Sequence, residues 1–206
     1  ITVRTDAEGK VTNVIIDEMQ TPEHWAKKTA FDDFDEGDFL ENGYAKKVVI
    51  GNKVFEAISA DAAGYPDYRL AEYNTGVGLL EWLRSGLNAK WYVEQMKLGN
   101  YGVSKAAGGV NNEYKNANEL SLGDLWLKSK NGYWPAGYGL GWKANIEAIQ
   151  NYLMQNGFAD KGIAVRGEDK VWTINGTATG ATINACNEYI NLAQIAYGIA
   201  TTQVAE

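Results

Sequence analysis

The chain has 206 residues, 45% of them hydrophobic, with 19 basic and 26 acidic side chains and a formal net charge of -7. That length allows one large domain or two small ones with a core that needs no staples, and the acidic balance lacks the basic stripe that nucleic acid requires, so nucleic acid is excluded as a partner. One cysteine, Cys186, and one histidine, His24, exclude an internal disulfide, every cysteine-rich zinc site and a multi-histidine metal centre.

No apolar run approaches the ~20 residues that span a bilayer, so no transmembrane segment is expected. The chain opens at Ile1 with neither methionine nor signal peptide, which reads as a processed or trimmed product. Aromatic residues make up 12%, and 23 glycines stand against 3 prolines. Such a composition implies a well-filled core or a face that stacks planar ligands.

The first seventeen residues predict a hairpin. Ile1, Val3 and Thr5 alternate with polar neighbours, Asp6-Ala7-Glu8-Gly9 supplies the turn, and Val11 to Ile16 resumes a β-branched run. Pro22 breaks the pattern, and His24 to Ala30 reads as a short helix, with His24 a surface or helix-end residue. Asp32, Asp33, Asp35, Glu36, Asp38 and Glu41 form an acidic cluster. A calcium loop anchored on Gly37 would place Phe34 at a ligand position and Gly43 where the distal glutamate belongs. The match fails, and a solvated acidic loop is expected.

Ala45–Ile50 and Val54–Ile58 read as a second hairpin around Gly51-Asn52. Residues 70–86 read as a helix with an apolar stripe of Leu79, Leu80, Trp82 and Leu83, ended by Gly86. Tyr92 to Leu98 also reads as helical, and the Gly- and Asn-rich stretch from Gly99 to Asn118 as a long loop. Residues 131–141 form a glycine-rich aromatic loop. It feeds a helix marked by Trp142, Ile146, Ile149, Tyr152 and Leu153 and capped by Gly157. Short strands are expected within 162–174. A last helix is expected from Ile183 to Ile199, with Ile183, Cys186, Tyr189, Ile190, Ala193 and Tyr197 on one stripe.

Most short motifs carry little chemistry. Gly137, Gly139 and Gly141 lack the preceding strand and the later acid of a dinucleotide loop, and there is no Walker lysine, HExxH or GxSxG. Cys186 lies on an apolar stripe and reads as a small core residue. Asn175-Gly176-Thr177 fits a glycosylation sequon.

One segment stands apart: Ala178-Thr179-Gly180-Ala181-Thr182-Ile183-Asn184-Ala185, followed by the last amphipathic helix. Small residues turn the chain and place the Thr182 hydroxyl at or just before a helix N-terminus, where orphan amides and the dipole favour an anion. A plain helix cap by Thr182 or Asn184 is the structural alternative.

Thr179-Gly180-Ala181-Thr182 resembles the (Ser/Thr)-Gly-Ala-Thr signature of the FMN-binding domain. That family includes the C subunit of sodium-pumping NADH:quinone reductase, the G subunit of the Rnf complex and secreted flavoproteins of extracellular electron transfer in Gram-positive bacteria. The opening segment from Ile1 to Val14 is similar to the family's first hairpin with its D-x-x-G-K turn. Gly141-Trp142-Lys143 through Tyr152 is similar to a Trp-led helix upstream of the signature. The two ends of the chain carry the resemblance; residues 20–130 match poorly and read as an insertion or elaboration. Family signatures usually have an aspartate six positions before the modified threonine, where this chain has Gly176.

The resemblance implies FMN attached covalently by a phosphoester to Thr182, with its phosphate at the start of the last helix. It implies installation from FAD by a magnesium-using flavin transferase, with Thr179, Gly180, Ala181 and Ile183 shaping the attachment site. An isoalloxazine needs flat apolar neighbours, for which Trp142, Tyr133, Trp134 and Trp172 are candidates by proximity in sequence. The expected fold is α+β: one domain of antiparallel twisted sheet with packed helices and a large central insertion. The expected function is an electron carrier, extracellular or in the cell envelope. It would be fed by a membrane dehydrogenase or a quinol-linked donor, with no substrate turned over on its own and no catalytic or metal-binding residues. The alternative is a cell-surface carbohydrate-binding or structural module using the aromatic loop 131–142. A hydrolase built on residues 32–41 lacks a second catalytic group.

Overall fold

The computed structural model describes residues 1–27, 34–60, 64–71, 77–105, 115–116, 124–132, 134, 140–158 and 164–202. In chain order the elements are β1 (Thr2–Thr5), β2 (Val11–Ile15), α1 (Pro22–Trp25), β3 (Lys47–Ile50), β4 (Lys53–Ala60), β5 (Pro66–Leu70), α2 (Leu79–Trp82), α3 (Gly86–Lys97), β6 (Tyr101–Ser104), β7 (Lys115–Asn116), α4 (Gly141–Asn156), β8 (Ala164–Arg166), β9 (Trp172–Ile174), β10 (Thr177–Ala178) and α5 (Cys186–Thr202). The fold class is α+β, and every strand pair among the described residues is antiparallel. Contacts group the chain into two units, Ile1–Glu18 with Gly132–Glu206, and Met19–Asn131.

The terminal unit holds the β1–β2 hairpin, the three-stranded sheet β10-β9-β8, and helices α4 and α5. The hairpin turn forms as its residues dictate. Asp6 Oδ1 accepts the amides of Glu8 at 3.2 Å and Lys10 at 2.8 Å, and Gly9 takes the left-handed conformation at φ 81°. Val11, Val14 and Ile16 then face α4 and α5 residues in one buried cluster with Trp142, Ile146, Ile149, Leu153, Cys186 and Ile190. Each such aliphatic or aromatic side chain contributes about 1.5–3 kcal/mol through its removal from water. The C-terminus of α4 is closed by Gly157 at φ 69°, as expected of a glycine cap.

The last helix starts later than its hydrophobic stripe implied. Its first helical residue is Cys186, and the Ala185 carbonyl accepts from Glu188 at 3.0 Å and Tyr189 at 3.2 Å. Among the described contacts neither Thr182 nor Asn184 caps it.

The turn between β9 and β10 is a two-residue loop, Asn175-Gly176, with Ile174 paired to Thr177. Both central residues have positive φ, 50° and 78°, the type I′ pattern that asparagine-glycine satisfies best. Structurally, the dipeptide makes a hairpin turn.

The central unit is built on the five-stranded sheet β5-β4-β3-β6-β7. The second predicted hairpin is present as β3 and β4 around Gly51-Asn52. Gly51 has φ 57°, and a Cβ there would lie 2.9 Å from Trp91 Cζ2 and Gln95 Oε1. Close approach of α3 to the turn therefore requires glycine. Trp25, Val48, Ile50, Phe55, Tyr92, Met96, Tyr101 and Val103 form its core.

Three expectations for this unit are corrected. Leu70 ends β5, paired with Phe55, and among the described residues the α-helix expected over 70–86 is limited to α2; Gly86 opens α3 instead of closing a helix. Residues Tyr101–Ser104, read as loop, form the fully buried strand β6 beside β3. The short helix near His24 starts at Pro22, whose missing amide costs nothing at the first helical position, and its last helical residue is Trp25. Of the acidic cluster, Asp32 and Asp33 lie outside the described residues. Asp38 is buried, accepting the Asp35 amide at 3.2 Å within a 3-10 turn, Glu36–Asp38.

Candidate functional site

The Thr179–Ile183 segment is fastened from two sides. On one side is β9. The Thr179 amide donates to the Trp172 carbonyl at 2.8 Å, the Thr179 hydroxyl donates to the same oxygen at 2.9 Å, and the Trp172 amide donates to the Ala181 carbonyl at 2.9 Å. The Thr179 hydroxyl oxygen also accepts the Ala181 amide at 3.1 Å, a local turn closure. The Trp172 indole donates to the Ile183 carbonyl at 2.8 Å.

On the other side is α4, through one residue. Asn145 sits on the buried stripe between Trp142 and Ile146, at 3% exposure. Its side-chain oxygen accepts the amides of Thr182 at 2.6 Å and Ile183 at 2.9 Å, and lies 3.3 Å from the Thr182 hydroxyl. Its side-chain nitrogen donates to the Gly141 carbonyl at 2.6 Å. A buried side-chain amide is tolerable when its donors and acceptors are satisfied, and these bonds satisfy it.

Small residues make this approach possible. Ala181 is fully buried, and Gly180 turns the chain at φ 78° with Ala148 Cβ 3.5 Å from the position its own Cβ would take. Thr182 is left half-buried. Arg166, exposed on β8, donates from Nη2 to the Thr182 carbonyl at 3.1 Å and from Nε to the Lys170 carbonyl at 3.2 Å.

The electrostatics differ from the sequence expectation. Thr182 precedes the first helical residue by four positions, and the amides at Thr182 and Ile183 are occupied by Asn145. Among the described contacts, the charged group that bonds Thr182 is the Arg166 guanidinium, on its backbone carbonyl, and the end of α5 lies farther along the chain. Behind the segment, Cys186 is fully buried and burial pushes its thiol up to about 11, only partly offset by its hydrogen bond with Thr179. It is a core residue with no nucleophilic character near neutral pH.

The aromatic candidates separate. Trp172 is half-buried and joined to the segment by its indole nitrogen. Trp142 is 1% exposed, its indole nitrogen donating to Tyr189 Oη at 3.0 Å and to Glu18 Oε1 at 3.3 Å; it is a core residue with no free ring face. Trp134 is 37% exposed, stands at φ 57°, and accepts the Trp142 amide at 3.0 Å. Tyr133 and residues 135–139 of the aromatic loop lie outside the described residues. A cavity of about 100 Å³ in this unit is lined by Tyr152, Asn156, Ile174 and Ile190 among others, and Thr182 does not line it.

The chemistry of the donor set fits such a group. A half-buried hydroxyl held by a weak 3.3 Å bond can be esterified without breaking the two stronger bonds that fix its backbone. The adjacent guanidinium complements the single negative charge of a phosphodiester. Asn145 was missed in the sequence, although a lone amide between Trp142 and Ile146 on an apolar stripe is a readable sign of a buried polar clasp.

Comparison of the chain with protein-family models, with curated proteins and with solved structures finds no match.

Proposed function

We propose that the terminal unit carries FMN on Thr182, bound through its phosphate, and that the protein shuttles electrons outside the cytoplasm. The observation that supports this reading most is the Thr179-Gly180-Ala181-Thr182 tetrapeptide clasped by Asn145, with Thr182 half-buried and its backbone carbonyl bonded by Arg166. Asn145 and Trp172 fix the backbone, Gly180 and Ala181 keep the approach narrow, and Arg166 balances the phosphoester charge. Bound there, the flavin supplies the redox chemistry. The reading implies protein partners, a membrane dehydrogenase or quinol-linked donor on one side and an acceptor on the other.

The test is co-expression with a flavin transferase, followed by intact mass and visible absorbance. Wild type is expected to gain the mass of FMN less one water and to turn yellow, and Thr182→Ala to remain at its unmodified mass. A wild-type protein that stays colourless and unmodified under conditions that label a known acceptor overturns the proposal.

A further inference from the structure

Asparagine followed by glycine occurs four times in the chain, at Asn42-Gly43, Asn131-Gly132, Asn156-Gly157 and Asn175-Gly176. In such a pair the glycine has no Cβ to shield its backbone nitrogen, which can attack the side-chain carbon of the asparagine before it. The attack needs both partners free, the glycine amide as nucleophile and the asparagine side-chain amide as leaving group.

The fold treats the four pairs differently. The Asn42 side-chain nitrogen donates to the Gly64 carbonyl at 2.6 Å, and the Gly43 amide donates to the Leu40 carbonyl at 2.8 Å. The Asn156 side-chain nitrogen donates to the Tyr152 carbonyl at 2.9 Å, and the Gly157 amide donates to the Leu153 carbonyl at 2.9 Å. Nucleophile and leaving group are thus both tied at these two pairs. At Asn131 the side-chain nitrogen is buried, away from the water that must take up departing ammonia.

Asn175-Gly176 is open on every count. Both residues and the following Thr177 are exposed. Among the described contacts neither the Asn175 side-chain amide nor the Gly176 backbone amide makes a hydrogen bond. The turn itself explains this: in a two-residue hairpin the closing pair is Ile174 with Thr177, which leaves the Gly176 N–H outside the ladder. Nothing lies within 4 Å of the place a Cβ on Gly176 would take, so a ring closing there meets no neighbour.

We propose that Asn175 is a site of spontaneous modification, converted to aspartate and isoaspartate through a cyclic imide with Gly176, while the fold protects the other three pairs. The Gly176 nitrogen loses its proton and bonds to Asn175 Cγ. The Cγ–Nδ2 bond breaks, and Nδ2 leaves as ammonia with that proton. Water then opens the imide. Cleavage of the new Cγ–N bond gives aspartate, and cleavage of the original backbone C–N bond gives isoaspartate. The balance is one water consumed and one ammonia released, with no oxidation or reduction. Isoaspartate carries the main chain through the side-chain carbons, which lengthens the turn and disturbs the pairing of β10 with β9. The site stands independently of the flavin reading.

The experiment ages the full chain in mildly alkaline buffer, with circular dichroism confirming that it stays folded, and follows each pair by peptide mass spectrometry. Asn175 is expected to convert about tenfold or more faster than Asn42 or Asn156, the rate equivalent of one hydrogen bond that those pairs must first break, and faster than Asn131. In concentrated urea the four rates are expected to converge. Asn175→Asp, which tolerates the positive φ of this turn, is expected to remove the fast phase of ammonia release. The inference fails if Asn175 stays intact in the folded chain, or converts no faster than the other three. It fails equally if the same ranking persists in urea, which would assign the selectivity to neighbouring residues in sequence and not to the fold.

Discussion

Asn145 and Thr182 are joined by a 2.6 Å hydrogen bond from the threonine amide to the side-chain oxygen, across 37 positions of sequence. The same oxygen holds the Ile183 amide. Removing it leaves two backbone donors without their partner in a mostly buried setting, and each such donor costs about 1–3 kcal/mol. Asn145→Ala is therefore expected to lower unfolding free energy by about 2–4 kcal/mol, measured by urea denaturation. Its flavin loading should fall at temperatures where circular dichroism still reports a folded protein.

Thr182→Ala should behave differently. The hydroxyl makes one long bond and the residue is half-buried, so the expected destabilisation is within about 0.5 kcal/mol. Paired urea curves for wild type and variant check this. A near-silent stability effect would make any loss of flavin a statement about the oxygen atom itself.

Two glycines allow a graded test of backbone conformation. Gly176 has φ 78° with nothing within 4 Å of a built Cβ, so Gly176→Ala should cost only the left-handed penalty of about 1–2 kcal/mol. Gly51 has φ 57° and a built Cβ 2.9 Å from Trp91 and Gln95, so Gly51→Ala adds overpacking and should cost about 2–4 kcal/mol. Gly176→Asp installs the aspartate usual in the family signature at a position where aspartate tolerates positive φ. It should fold, and intact mass after transferase co-expression reports whether loading rises.

Tyr189, Trp142 and Glu18 form a polar knot in the core of the terminal unit. The tyrosine hydroxyl donates to Glu18 and accepts the Trp142 indole at 3.0 Å. Tyr189→Phe should cost about 1–3 kcal/mol. A double-mutant cycle with Glu18→Gln should return a coupling energy of about 0.5–3 kcal/mol, and additive effects would show that the two groups act separately.

Alkaline pH should weaken the protein in a defined window. The Cys186 thiol ionises at about 11 in the folded chain against an ordinary 9.0, because burial disfavours the thiolate. Between those values the folded state holds a proton that the unfolded state has lost, so stability falls as pH rises from about 9 to 11. Burial likewise raises the Tyr68, Tyr92 and Tyr189 phenols above their ordinary 10.0, so they add to the loss above that pH. Urea midpoints recorded across this range should decline, and Cys186→Ala should shallow the first part of the decline.

What could be read from the residues was what short-range chemistry dictates. The first hairpin follows from an aspartate-glycine turn between alternating residues, and α4 from its stripe and its glycine cap. Strand β6 was hidden because Tyr101-Gly102-Val103-Ser104 is short, contains glycine and is buried on both faces, so it shows no alternation. Leu70 falls at the start of the helix expected over 70–86 because its strand partner, Phe55, is fifteen positions away and invisible to periodicity. The candidate threonine was legible as a motif; its clasp and its guanidinium neighbour were not, since Asn145 and Arg166 reach it only through tertiary packing.

The chain leaves the terminal unit after Glu18 and rejoins it at Gly132, which constrains the order of events on the ribosome. The β1–β2 hairpin emerges before the central unit, yet the helices that cover Val11, Val14 and Ile16 are translated after it. A lone two-stranded ribbon is marginal in water, so this nascent segment stays open while the central sheet is synthesised and closes. Arrested nascent chains ending beyond Asn131 should accordingly resist limited proteolysis within 34–60 and 77–105 while the β1–β2 segment is still cut. Protection of that segment should come only once α5 has cleared the exit tunnel.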